Sequence, residues 1–400
     1  MPQRLSLVAR CLLTGLFAVT VLSPAVIAQQ FPVTFVIKTV DPNIGKVCYA
    51  VITADVNNDA RPDIVALSEN RVVWYEAPAW TPHVILQDQL PLDHVTIAAN
   101  DIDHDGHVDF AIGAGWTKTG TLHWIRRKQD PNGLWDVFAV GEETSVHRIR
   151  WADVLGKGSQ QLVVSPLNAS TGSGVRLLAF EIPESPTTQR WPATVLNADL
   201  NRMHNHWHLD FDANESVDTL TASREGISLI RKDGDGWSSL LLSKGKTGES
   251  DPNLNGAGEV KSGKLFNGRR FLATVEPMHG DSLVVYLEPQ QPEGTWERTI
   301  IHDGFKRGHA VWTADFDGDG SDEIAFGHSD TPQKFGVMVF WSSKDNPAHW
   351  EKQTLDEGEM ATEDLTVTDL TGDGIPDIVA GGRSTHNVRL YTAVRKAGGK

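Results

Sequence analysis

Tryptophan recurs along this chain at intervals of 46 to 59 residues, and each time it leads a short apolar run. Trp80 precedes Val84-Ile85-Leu86, Trp135 precedes Val137 to Val140, and Trp191 precedes Val195-Leu196. Trp237, Trp296 and Trp350 repeat the pattern before Leu240, Thr299 and Thr354. A period of this length fits a propeller blade and is too long for most helical repeats. Between the tryptophans an alternating strand runs into an acidic turn, as in Val311 to Gly320, followed by a buried strand such as Glu323 to Gly327. A third strand, Val337 to Trp341, completes the set. Four short β-runs separated by Gly, Asp and Asn turns make one blade.

The acidic turns count the blades. They fall at Asp55, Asp101, Asp153, Asp210, the degraded Ser262 to Gly268 stretch, Asp315 and Asp369, which gives seven. The seventh blade ends at Val388 to Tyr391 with too little chain left for a fourth strand. Phe31 to Ile37 matches the Trp80 segment position for position, so the N-terminal strand is expected to close that blade. The ring then has no open sheet edge. The expectation is an all-β, seven-bladed propeller over residues 29–400, with residues 1–28 as a separate leader. The leader has Arg4 and Arg10, an apolar run from Cys11 to Leu22 and a small-residue end at Ala28. This is the pattern of a cleavable secretory signal, and it predicts a secreted or periplasmic protein. Its removal takes the net charge from −16 to −18, because two arginines and no acids are lost. Such a surface disfavours nucleic acid and anionic lipid. No later run is long and apolar enough to span a membrane. Cys48 is left as a lone cysteine, so no internal disulfide is expected.

Four of the turns read D-x-[DN]-x-[DN]-x-x-x-[DE]: Asp55-Asn57-Asp59-Asp63, Asp101-Asp103-Asp105-Asp109, Asp210-Asp212-Asn214-Asp218 and Asp315-Asp317-Asp319-Glu323. A fifth, Asp369-Asp373-Asp377, has Thr371 in place of one carboxylate. Alternate side chains in a tight turn converge, and their hard oxygens suit structural Ca²⁺. The bland alternative is a hydrogen-bonded acidic turn without an ion. The turn followed by an Ile/Val strand and glycine, as in Asp315 to Gly327 and Asp369 to Gly381, resembles the FG-GAP/VCBS repeats of secreted propellers and integrin α-chains. That resemblance covers residues 31 to 391. It implies the fold and leaves function open.

Histidines fall in register with the turns. His147, His204 and His309 lie six residues before Asp153, Asp210 and Asp315, and so do Tyr49 and Glu363 before Asp55 and Asp369. His94 lies seven before Asp101. These positions start the innermost strands, which surround one mouth of the central channel. The loops after the second strands return to the same mouth and carry His279, His328 and His386. Neutral imidazole is a common transition-metal ligand. His94, His147, His204, His309 and Glu363 are therefore the candidate ligands for a divalent ion such as Zn²⁺. His206, which alternates with His204 and His208, joins His279, His328 and Tyr49 as candidate acids and bases. Arg148, Arg307 and Arg383 suit sugar hydroxyls or a carboxylate, and Trp116 a sugar face. The bland reading for any one imidazole is polar filling of the channel.

The His-lined mouth and segments such as Gly308-His309-Ala310-Val311-Trp312-Thr313-Ala314-Asp315 resemble the propeller domain of the aldos-2-ulose dehydratase family. That resemblance implies a metal in the channel and dehydration of keto-sugars. Family members also carry cupin domains after the propeller; none is read before Lys400, so activity attributed to those domains is not expected. Three classes stay open: a sugar lyase or dehydratase (a uronate lyase being its nearest relative), a non-catalytic carbohydrate- or protein-binding propeller, and a Ca²⁺-braced adhesion protein. No G-x-S-x-G or H-E-x-x-H occurs, so serine-hydrolase and zincin chemistry lack support.

Overall fold

Short apolar runs of this sequence form strands, buried on both faces in the second strand of most blades and half-buried in the outer ones, and the acidic and glycine turns reverse the chain between runs. In the computed structural model these runs assemble as seven four-stranded antiparallel sheets. The structure describes residues 31–116, 119–169, 174–291, 294–329, 334–344 and 346–396. The leader expected over residues 1–28 lies outside them.

Blade 1 comprises Cys48–Ala54, Asp63–Ser68, Arg71–Glu76 and Thr81–Gln87, and five further blades follow the same order along the chain. Their innermost strands are His94–Asn100, Val146–Ala152, Asn205–Leu209, Lys261–Lys264 and Gly308–Ala314. Blade 7 takes Thr362–Thr368, Asp377–Gly382 and Val388–Arg395, and its fourth strand is the N-terminal Val33–Asp41. The closing pair runs from Val33 opposite Arg395 to Asp41 opposite Val388. The partner strand is thus longer than the expected Val388 to Tyr391. Phe31 fills the tryptophan position and stacks on Trp341 at 4.8 Å.

The core is divided among the joints between blades. Seven apolar clusters each join two successive blades, and one of them carries Leu370, Val379 and Val388 of blade 7 against Ile44, Val51 and Ile64 of blade 1. The ring is therefore closed by packing as well as by hydrogen bonds. Cys48 is a free, buried thiol in that last joint. Among the described residues no helix is long and apolar enough to cross a membrane.

The innermost strands run from the histidine end to the acidic-turn end. Seven residues of strand span roughly 20 Å, so the two residue sets occupy opposite mouths of the channel.

Candidate functional site

The histidine mouth is built on a repeated irregularity. In blades 1, 3, 6 and 7 the pairing of the first two strands skips Tyr49, His147, His309 and Glu363. Each is the extra residue of a β-bulge, a device that re-aims a side chain. In blade 2 the skipped residue is Val95, and His94 pairs opposite Ala114. His94 is fully buried and lies outside the imidazole cluster. In blade 4 the position falls to His204, just ahead of the strand. In blade 5 it falls to Glu259, because Gly258-Glu259-Val260-Lys261 aligns with Gly308-His309-Ala310-Val311. Sequence reading missed Glu259. Counting six residues back from Leu265, which follows the blade 5 strand as Asp315 follows that of blade 6, finds it.

Around this mouth four imidazoles converge. The His204 ring lies 4.7 Å from His147, 4.6 Å from His279 and 5.0 Å from His309. His279 stacks on His309 at 4.5 Å. The Nε2 atoms of His204 and His279 are 2.8 Å apart. His204 Nδ1 lies 2.7 Å from the Gly258 carbonyl oxygen and 3.0 Å from a Glu259 carboxylate oxygen. A carbonyl only accepts, so Nδ1 carries a proton and donates it to Gly258. One nitrogen from each of His204, His279 and His309 lies within 4.8 Å of the others. Burial, and then their neighbours' positive charge, hold His147, His279 and His309 well below the ordinary imidazole pKa. These rings are neutral at pH 7, the form that binds metal or accepts a proton.

The turn carrying His279 is fixed from beneath. Glu276 accepts from the Tyr286 hydroxyl at 2.6 Å and from Arg298 at 2.7 Å. The Gly280 carbonyl accepts the Gly308 N–H at 2.8 Å, which ties the turn to blade 6. His279 and Arg307 both have left-handed backbone, with φ of 54° and 52°. Side chains other than glycine occupy that region sparingly, and it recurs at functional sites.

A charged rim borders the imidazoles. Glu363 Oε1 is 3.6 Å from His309 Nε2 and 2.5 Å from Arg383, and Arg307 lies 3.5 Å from the other oxygen. Arg307 also approaches His279 Nδ1 at 3.3 Å. Burial, and then the charge of Asp93, raise the Tyr49 hydroxyl to about 12. Half-buried Trp116 sits 6.0 Å from the His147 ring.

Other sequence candidates lie elsewhere. His206 is buried between blades 3 and 4, with Nδ1 2.9 Å from Ser165 Oγ. The alternation that grouped it with His204 holds only inside a strand, and His204 precedes the strand. His328 packs on Phe326 and Phe305 at 5.7 and 5.5 Å. His386 Nδ1 lies 2.6 Å from the Lys46 carbonyl oxygen. Arg148 lines the channel wall below the mouth with Arg150, Glu259, Lys261 and Asp364. Burial and the charge of Arg150 lower the Lys261 amine to about 7.

At the opposite mouth the acidic turns are internally hydrogen-bonded. Asp55, Asp101, Asp210, Asp315 and Asp369 each accept backbone N–H groups from their own turn. Asp63, Asp109, Asp218, Glu323 and Asp377 accept an N–H seven residues upstream. Among the described residues, two turns gather three carboxylates within 4.8 Å: Asp101-Asp103-Asp105 and Asp315-Asp317-Glu323. In the Asp210 turn, Arg231 lies 3.3 Å from Asp212 and 3.4 Å from Asp218. Burial, and then Asp317, raise Glu323 to about 10. A cleft of ≈ 990 Å³ beside the Asp101 turn is lined by carboxylates and Arg126, with His104 as its imidazole.

Comparison with known proteins agrees with this architecture. The family model described as the β-propeller domain of aldos-2-ulose dehydratase matches residues 119–289. An FG-GAP-like repeat matches residues 315–380. Aldos-2-ulose dehydratase of Phanerodontia chrysosporium is 23% identical over 336 residues, covering 75% of this chain and 36% of that protein. The chain thus spans about a third of the length of that relative. This chain is a seven-bladed β-propeller, similar over residues 119–289 to the propeller domain of aldos-2-ulose dehydratase and over residues 315–380 to an FG-GAP-like repeat.

Proposed function

We propose that this chain is an exported carbohydrate-active lyase, a dehydratase of keto-sugars, with its site at the histidine mouth. The observation that carries the reading is the convergence of His204, His279 and His309 in a propeller similar to that of a sugar dehydratase. The donor set suits a divalent transition metal such as Zn²⁺. Among the described residues His309 Nδ1 and both nitrogens of His147 are buried without a hydrogen-bond partner, and the Nε2 atoms of His204 and His279 face each other at 2.8 Å. His204, His279 and His309 would hold the ion, and His147 stands beside them. When bound, such an ion supplies Lewis-acid polarisation of a ketone oxygen.

The remaining groups divide the proton transfers. Neutral His147 is placed to take the α-proton, since both ring nitrogens are free. The electron pair left on carbon forms the new C=C bond as the β C–O bond breaks. Tyr49 keeps its proton at neutral pH and delivers it to the departing hydroxyl, which leaves as water. Arg307 and Arg383, gathered on Glu363, offer N–H donors to substrate oxygens. Trp116 offers a flat apolar face for a sugar ring. We further propose structural Ca²⁺ in the Asp101 and Asp315 turns, where it would brace the far mouth, and export through residues 1–28.

The test is incubation of metal-replete protein with 1,5-anhydrofructose, 3-keto-glucosides and uronate polymers, following absorbance of the conjugated product. Turnover of a keto-sugar is expected, with at least a 100-fold loss in a His204→Ala/His309→Ala protein, the scale on which such groups contribute. Undiminished turnover in that protein removes the site. Tight binding without turnover transfers the reading to a binding propeller, and turnover of uronate polymers alone transfers it to a polysaccharide lyase.

A further inference from the structure

Below the imidazoles the channel narrows to a cavity of ≈ 60 Å³, walled by residues of all seven blades. Three of them carry basic side chains, of which Arg148 and Lys261 are buried and Arg150 is half-buried. None forms an ion pair among the described residues. Arg148 donates to the His147 carbonyl at 3.2 Å. Arg150 donates to the His206 carbonyl at 2.8 Å and to Asn205 Oδ1 at 3.1 Å. Lys261 is 2% exposed. Its Nζ lies over the faces of Trp207 and Trp312, at 4.5 and 5.1 Å, and makes no hydrogen bond among the described residues.

Two carboxylates share the cavity, and both are engaged elsewhere. Glu259 accepts from Asn205 Nδ2 and faces His204. Asp364 accepts the Val51 N–H at 3.1 Å. Arg148 and Arg150 balance the two acids, and Lys261, whose amine is lowered to about 7, adds up to one further positive charge when it is protonated. This occurs at the centre of a chain whose net charge is −16. Burying a cation without a partner is costly, so such groups are paired in stable proteins. Indole faces supply only part of what a desolvated ammonium loses.

We infer that this cavity binds a small monovalent anion, a halide such as chloride, between Lys261 and Arg148. The volume suits a few waters or one halide and lies far below the several hundred Å³ of a sugar-sized pocket. Water alone would satisfy N–H donors, whereas an anion also compensates the charge of protonated Lys261 and favours that form. The inference uses no feature of the metal or the proposed reaction, so either can fail without the other.

Two readouts test it on the full-length mature protein. Crystals grown or soaked in sodium bromide should show an anomalous peak between Lys261 and Arg148. In solution, chloride replacing gluconate at constant ionic strength should raise the melting temperature logarithmically. The expected slope is about 2 °C per tenfold in chloride above its Kd for a chain of this size. Lys261→Met should flatten that slope. Bromide confined to the protein surface would overturn the proposal, as would a slope unchanged in Lys261→Met. If Lys261→Met does not fold, the bromide map of the wild-type protein decides alone.

Discussion

Tyr49, His147, His309 and Glu363 owe their place at the mouth to one extra residue in each innermost strand. The same bulge in blade 2 presents Val95, and His94 is turned into the wall instead. Counting back from each acidic turn therefore revealed His204 and His309, because the count is preserved where the turn is intact. It passed over Glu259, since blade 5 has Leu265 where the other blades have the turn's first aspartate, and only alignment of the strands supplies the starting point. It misplaced His206, because strand alternation was applied across a strand boundary. His94 makes a prediction of its own. Burial lowers its pKa to about 4, against about 6.5 when unfolded. The unfolded chain then binds the extra proton between those values, so stability is fully present above about 6.5 and is lost as pH falls towards 4. The loss should approach roughly 3 kcal/mol for this group. Urea melts of His94→Gln and wild type between pH 7 and 4 should show a shallower decline in the variant. Parallel declines would mean that His94 is not buried neutral.

Each acidic turn and the strand after it act as one element. The turn's first carboxylate gathers its own backbone N–H groups, and the last one reaches back to the start. Without an ion, like charges crowd at Asp315, Asp317 and Glu323, and burial raises Glu323 to about 10. Excess chelator should therefore lower the melting temperature, and Ca²⁺ should restore it, because an ion that binds only the folded state stabilises by mass action. Asp101→Asn together with Asp315→Asn should remove most of that response. A melting temperature indifferent to chelator would leave these turns as hydrogen-bonded corners. Between blades, close approach is set by small residues. A Cβ on Gly327 would meet Thr362 Cγ2 at 2.3 Å, across the joint between blades 6 and 7. Gly327→Ala should cost about 1–3 kcal/mol in denaturant unfolding, the usual cost of overpacking. A change under about 0.5 kcal/mol would mean that the joint is loosely packed.

The whole molecule was the most legible level, because seven copies of one pattern outweigh the errors in any one of them. The closing strand was readable as well: Phe31 stands where the other blades have tryptophan, and it packs accordingly. Channel charge was not legible, since Arg148 and Arg150 of blade 3, Lys261 of blade 5 and Asp364 of blade 7 meet only when the ring closes. Removing residues 31–38 should open that ring. Buried Phe31 and Val33 alone are worth about 3–6 kcal/mol, and the exposed edge of blade 7 should promote association. Unfolding and light scattering of the truncated protein would check this, and a monomer of undiminished stability would contradict closure. The account centres on the histidine mouth as a metal site. Elemental analysis of the purified protein, beside its His204→Ala/His309→Ala counterpart, tests that most directly. The account predicts about one Zn²⁺, Mn²⁺ or iron per wild-type chain and none in the double variant, with Ca²⁺ equal in both. Ca²⁺ as the sole metal in the wild-type protein, or a transition metal retained in the double variant, would contradict it.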